Sequence, residues 1–245
     1  MTQRPDLPHL SLEPTETSPP RHIRSFIRRK GRMTAGQSRA MEELWPQFGL
    51  SPDIDLKPEQ VFGRGGPLVL EIGFGNGESL AQMAAANPDT NFIGIDVHQP
   101  GVGHLLLHIE EQGLSNIRVY CADAIEILTQ RVADTSLDRV QLFFPDPWPK
   151  KRHHKRRIVS PDFIALITDK LKPGGHFHAA TDWEDYALQM ADVLSQAAFL
   201  SNTLSGGGFA PRPDYRPLTK FETRGQRLGH GIWDLVYVRD SVQQQ

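Results

Sequence analysis

The chain has 245 residues, 38% of them hydrophobic and 23% charged, with a formal net charge of −2 and one cysteine. That composition suits a globular chain with one sizeable core, and it excludes an intrachain disulfide or a zinc site built on cysteines. No apolar run approaches the ~20 residues of a membrane span, and the start lacks the apolar core of a signal peptide, so the cytoplasm is the expected compartment.

Residues 1–20 are polar and proline-rich and predict a disordered tail. Residues 21–40 form a basic segment (Arg21, Arg24, Arg28, Arg29, Lys30, Arg32, Arg39) without an acid and with few apolar anchors. Residues 41–245 read as a single domain. "PLVLEIG" (67–73) predicts a buried strand ending at a glycine loop, and "GESLAQMAAANP" (77–88) a helix stopped by Pro88. "NFIGIDV" (91–97) is a second strand and "GVGHLLLHIEEQG" (101–113) a helix closed by Gly113. "NIRVYCAD" (116–123) is a third strand, in which Cys121 reads as a small buried residue rather than a nucleophile. "RVQLFFPD" (139–146) is a fourth, ended by Pro145. A helix over 161–175, a strand over 176–182 and a helix over 183–196 follow. A loop-rich insert (201–230) then precedes a last strand, 231–240. Strands alternating with helices predict an α/β fold with a mostly parallel, doubly wound sheet.

"LEIGFGNGES" sets Gly73, Gly75 and Gly77 after Glu71. Glycines there let the backbone turn sharply and approach a ligand. The dinucleotide fingerprint G-x-G-x-x-G fits poorly, because Glu78 stands where its third glycine belongs and would repel a pyrophosphate. A ligand without phosphates, such as S-adenosylmethionine, suits the loop better. Asp96, at the end of the second strand, can accept from two ribose hydroxyls, and Asp123, ending the third, is placed for an adenine amino group. Asp146 ends the fourth, so four successive strands close on or next to an acid at the edge where open α/β sheets bind ligands.

"FFPDPWPKKRHHKRR" (143–157) runs from apolar strand to lone acid to basic block. Lys150 to Arg157 lacks interleaved acids, which predicts a rim for a polyanion rather than a salt-bridged helix face. A carboxylate only accepts hydrogen bonds, so Asp146 suits a partner that offers donors. Three roles stay open for it: reader of the base, electrostatic partner of moving charge, or general base. Trp148 reads equally as a stacking wall for a base and as a plug over the strand edge. His104 and His108 have the i,i+4 spacing of metal ligands without a third partner, so no metal is expected.

"EIGFGNGESL", "GIDVHQPGVG", "FFPDPWPKKRHHKRR", "RPLTKFETRGQRLGHGIWDLVY" and "IRSFIRRKGRMTAGQ" together resemble the bacterial tRNA (guanine-N7-)-methyltransferases over roughly residues 22–240. The resemblance implies a Rossmann-like class I methyltransferase whose last strand is antiparallel. It implies methyl transfer from S-adenosylmethionine to the guanine at position 46 of the tRNA variable loop. It further implies Glu71, Asp96, Asp123 and Asp146 for the cofactor, beside Gly73 and Gly75, with Asp146 catalytic. For the substrate it implies Lys150, Asp182, Thr219, Lys220, Phe221 and Glu222. Lys151, Arg152, His153, His154, Lys155, Arg156 and Arg157 would meet the RNA, as would the segment 21–40. Asp96 departs from the family, which more often has Glu there. Two rivals stand beside this reading: an amino-group methylase with an N-P-P-Y type loop, and a non-catalytic RNA-binding protein on the same fold. Monomer and homodimer are both open.

Overall fold

The computed structural model of the chain describes residues 31–218, Glu222 and 231–241. Among these residues seven strands form one sheet, ordered β3-β2-β1-β4-β5-β7-β6. They are β1 (Leu68–Ile72), β2 (Asn91–Asp96), β3 (Ile117–Cys121), β4 (Leu137–Phe143), β5 (Leu171–Thr181), β6 (Leu200–Asn202) and β7 (Trp233–Arg239). The first five pair in parallel, while β7 runs antiparallel to both β5 and β6. This is the expected fold class, including the reversed last long strand.

Strands covered on both faces must be apolar on both, and β1 is buried at all five positions. Leu68, Leu70, Ile72, Val140, Leu142 and Phe177 face one way, towards α6 (Ala124–Gln130), α7 (Pro161–Lys170) and α8 (Glu184–Ser195). Val69, Phe92, Ile117 and Val119 face the other way, where α1 (Ala35–Glu43), α4 (Glu78–Ala86) and α5 (Gln99–Gln112) pack. Two short helices, α2 (Trp45–Phe48) and α3 (Pro58–Phe62), precede β1. On the second face, towards β4, β5 and β7, apolar residues give way to Glu71, Gln141, His178 and Asp234, all buried.

Four features differ from the sequence expectations. The boundary placed at residue 40 falls inside α1, which Thr34 and Gln37 start with a capping box and whose Ala40 is buried. A helix, α6, follows β3 directly, with the Asp123 side chain capping it. The helix expected to reach 175 stops at Lys170, because Leu171 pairs with Leu137 and the Lys-Pro-Gly-Gly run belongs to a bulged start of β5. The insert 201–230 overlaps the short strand β6. No described helix is long and apolar enough to cross a membrane.

Candidate active site

The turn after β1 is held open by its glycines. Gly73 and Gly75 have φ of 72° and 59°, a region that L side chains rarely adopt, and a Cβ on either would meet nothing within 4 Å. Both line a cleft of about 560 Å3 at the carboxyl edge of the sheet. Asp96, Asp123 and Asp146 line the same cleft, with Ile95, Val97, Ala122, Leu142 and Phe143 supplying apolar wall.

The three acids are held differently. Asp96 Oδ2 accepts from the Gly75 N–H at 2.9 Å and Oδ1 from the His98 N–H at 2.8 Å, so its carboxylate joins the glycine turn to the turn after β2. Burial raises its pKa, and the bonds from His98 and Gly75 oppose that rise. Asp123 Oδ1 accepts from Ile125 N–H at 2.9 Å, which fixes the side chain at the first turn of α6. Asp146 is exposed at the tip beyond β4. Its loop is bracketed by Phe144 and Trp148 with φ of 53° and 46°, conformations that cost energy for side chains of this size.

Glu71 does not end level with the other acids. The register pairs it with Gly94, two positions short of Asp96, so it lies deeper in the sheet and does not line the cleft. Its side chain is 3% exposed, and its Oε2 has no hydrogen-bond partner among the described residues. Burial, then the nearby charge of Asp96, push its pKa up to about 8, against the pull of Arg139.

These groups fit S-adenosylmethionine. The glycine turn leaves room for a backbone approach, Asp96 can accept ribose hydroxyls, and Asp123 stands where the apolar walls would hold adenine. The buried orphan oxygen of Glu71 is a ready partner for a bridging water.

The basic run folds as a 3-10 helix, Lys151–Arg156. Lys150, Lys151, Arg152 and Lys155 are exposed, while His153, His154 and Arg156 are half-buried. Arg156 lies 4.9 Å from the centre of the Trp148 ring, and His153 packs edge-on against it at 5.8 Å. Trp148 is therefore the core of this small unit, which favours the plug over the stacking wall.

Arg157 corrects the sequence expectation. It is 7% exposed, donates from Nε to the Pro147 carbonyl at 2.9 Å and from an Nη to Asp185 at 2.6 Å, and lies over the Tyr186 ring. It clamps the loop after β4 onto α8, with its guanidinium turned into the molecule and not out along the basic rim. Arg39, in the basic segment, is likewise engaged, with Glu43 and Glu110. Asp182 is exposed at the end of β5, beside the β4 tip, where Phe144 N–H donates to the Ala180 carbonyl at 2.8 Å.

Glu222 lies inside the molecule. It is 2% exposed and forks onto Arg216 at 2.7 and 2.9 Å. Arg216 forks also onto Asp234, at 2.8 and 2.9 Å. Burial lowers the His178 pKa, as do Arg216 and Arg139, while Asp234 opposes. A neutral imidazole then donates from Nε2 to Asp234 at 2.6 Å and accepts at Nδ1 from the Tyr215 hydroxyl at 2.9 Å. Sequence reasoning missed Arg139, His178, Tyr215, Arg216 and Asp234: the first two and the last are polar residues within the largely apolar strands β4, β5 and β7, and in the loop-rich stretch that holds Tyr215 and Arg216 a buried arginine looks like a surface one. Thr219, Lys220 and Phe221 lie outside the described residues, as do the tail 1–20 and residues 21–30 of the basic segment. Among the described residues no three His, Cys, Asp or Glu side chains gather as metal ligands, and His104 Nδ1 pairs with the Asn76 carbonyl at 3.0 Å.

Residues 65–235 match the family model described as "Putative methyltransferase". The tRNA (guanine-N(7)-)-methyltransferase of Alcanivorax borkumensis is 61% identical over 89% of this chain and 91% of its own. The protein of the same name from Methylococcus capsulatus is 58% identical over 90% of this chain and 96% of its own. Among solved structures, the 16S rRNA methyltransferase KamB superposes with a TM-score of 0.55 at 15% identity, covering 75% of this chain and 92% of that one, a likeness of fold alone. On the family match and these identities, the chain belongs to the bacterial tRNA (guanine-N(7)-)-methyltransferase family.

Proposed function

We propose that this chain transfers the methyl group of S-adenosylmethionine to N7 of a guanine in tRNA, position 46 of the variable loop, in the cytoplasm. The observation that carries the reading is one cleft edge: Gly73, Gly75, Asp96 and Asp123 line it together with Asp146, and the basic helix Lys151–Arg156 follows in the same loop. When bound, the cofactor would supply an electrophilic methyl on its sulfonium, whose C–S bond would break as the guanine N7 lone pair forms the new N–C bond, leaving S-adenosylhomocysteine and a cationic purine. N7 carries no proton, so Asp146 has none to remove and a general base is not required. Its carboxylate accepts from the guanine ring N–H and amine, which orients N7, and its charge favours a cation on either side of the transfer. Orientation alone can lower the barrier by about 7–11 kcal/mol. Asp182, with Lys150 and the run Thr219 to Phe221, completes the grip on the substrate, while the buried Glu222 stands behind it, and the exposed bases of 150–155 meet phosphates. Phosphate contacts position the RNA without reading its sequence.

The test is methyl transfer from labelled S-adenosylmethionine to unmodified tRNA, with nucleoside mapping, for wild type and Asp146→Ala. The expected result is 7-methylguanosine in the variable loop, lost in the variant. Methylated adenine, or methylation of another RNA, overturns the assignment while leaving the fold intact.

A further inference from the structure

One fully buried side chain behind the cleft has no part in the chemistry above. Arg216 is 0% exposed, yet it carries a charge that no aqueous solvent reaches. Its guanidinium donates through one fork to Glu222 and through another to Asp234 on β7. It also lies 5.8 and 5.7 Å from the ring centres of Phe143 and Phe144, which lead directly into Pro145 and Asp146. Asp234 is tied in turn to His178 on β5, and the His178 ring packs edge-on against Phe143 at 4.9 Å.

A cluster of this kind is a poor way to gain stability. Apolar residues of similar volume often do as well as a buried ion pair or better, because taking charges out of water costs more than most pairs return. What a double fork does supply is direction. The planar guanidinium donates to each carboxylate in one geometry only, so Glu222, β7 and the β4 tip are fixed relative to one another. Glu222 and Asp234 are each buried with both carboxylate oxygens bonded to Arg216, whereas Asp146 and Asp182 are exposed at the sheet edge.

We propose that Arg216 is a positioning residue for methyl transfer, fixing Glu222 against the tip of β4, and that Glu222 acts through this fork while Asp146 and Asp182 meet the base. The proposal rests on the reading that the chain methylates guanine in tRNA.

Full-length wild type, Arg216→Lys, Glu222→Ala, Glu222→Gln and the double variant Arg216→Lys with Glu222→Ala test it. Each is followed by thermal melting, by calorimetric binding of S-adenosylmethionine, and by single- and multiple-turnover methylation of an unmodified tRNA transcript. Arg216→Lys and Glu222→Ala should each lose on the order of 10–100-fold in kcat, the scale set by an ångström of misplacement. Cofactor affinity should be unchanged. The double variant should be no worse than the worse single, because both cut one fork. Glu222→Gln keeps an oxygen for Arg216 and should retain more activity than Glu222→Ala. If Arg216→Lys does not fold, the Glu222 pair decides alone. Wild-type turnover in folded Arg216→Lys or in Glu222→Ala overturns the proposal, as do multiplying losses in the double variant, Glu222→Gln no better than Glu222→Ala, or a matching loss of cofactor affinity. A wild type that makes no 7-methylguanosine overturns the methylation reading itself, a failure the wild-type reaction reveals separately.

Discussion

The Glu71 carboxyl keeps its proton in the folded chain up to about pH 8, whereas the same group ordinarily ionises near 4.5. Between those values the unfolded chain has released a proton that the folded chain retains. Stability contributed by the neutral form is complete below pH 4.5 and is lost as the pH rises towards 8, by roughly 1.4 kcal/mol per pH unit. Glu71→Gln is neutral at every pH, so it should melt like wild type near pH 4.5 and above wild type at pH 8. Melting curves taken across that range check this, and parallel curves for the two proteins would show that no proton is held on Glu71. Asp96 presents the opposite requirement, an ionised carboxylate whose two oxygens each accept from a backbone N–H. Asp96→Asn turns an amide NH2 towards one of those N–H groups and forfeits that bond, at a cost of about 1–3 kcal/mol. Calorimetry should then find S-adenosylmethionine bound on the order of 10-fold or more weakly, and unchanged affinity would remove Asp96 from the cofactor site. Asp96, Asp123 and Asp146 were legible in the sequence because parallel strands end at one edge and acids there converge. Glu71 was legible as an acid but not as a deeper one, since only the register with Gly94 reveals its depth.

The loop after β4 shows how an element can be built from residues whose sequence suggests only charge. Nothing in "PWPKKRHHKRR" has a helical apolar stripe, so neither the 3-10 turn around Trp148 nor the inward course of Arg157 was visible in the pattern. Contact with Pro147 and α8, distant in the chain, draws Arg157 inside. The helix α6 was hidden for a related reason: "AIEILTQ" is short and follows a strand without a break, and its start is marked only by Asp123, which also reads as a ligand. The Arg157 clamp makes an unequal prediction. Asp185 is 65% exposed, so its ion pair with Arg157 is worth little, whereas the Pro147 carbonyl has a buried donor. Arg157→Ala should therefore cost about 1–3 kcal/mol in stability and slow methylation by loosening the Asp146 loop, and Asp185→Asn should cost less than half as much. Urea midpoints of the two variants decide the matter, and equal losses would place the stabilisation in the ion pair instead.

Across the whole molecule the alternation of apolar strands and helices made the α/β class readable, while the reversal of β7 came from family resemblance, because periodicity does not encode strand direction. Charge distribution is the other property that exists only at this scale. The chain as a whole carries −2, so its average field does not attract a polyanion. The attraction must come from exposed bases that lack acidic neighbours, and the structure separates these from basic residues already engaged. Lys151, Arg152 and Lys155 are exposed on the 3-10 helix; Arg157 is buried on Pro147 and Asp185, and Arg39 holds Glu43 and Glu110. Each phosphate that is no longer neutralised should lower the slope of log K against log salt by about 0.7–0.9. Replacing Lys151, Arg152 and Lys155 together with Gln should thus reduce the tRNA-binding slope by roughly 2–3, with S-adenosylmethionine affinity untouched, because those residues do not line the cleft. Arg157→Gln should leave the slope where it is, even though it slows the reaction. Fluorescence anisotropy of labelled tRNA over a salt series measures both. A triple variant with the wild-type slope would remove the 3-10 helix from the RNA interface, and a shallower slope for Arg157→Gln would mean that its clamp opens when RNA binds.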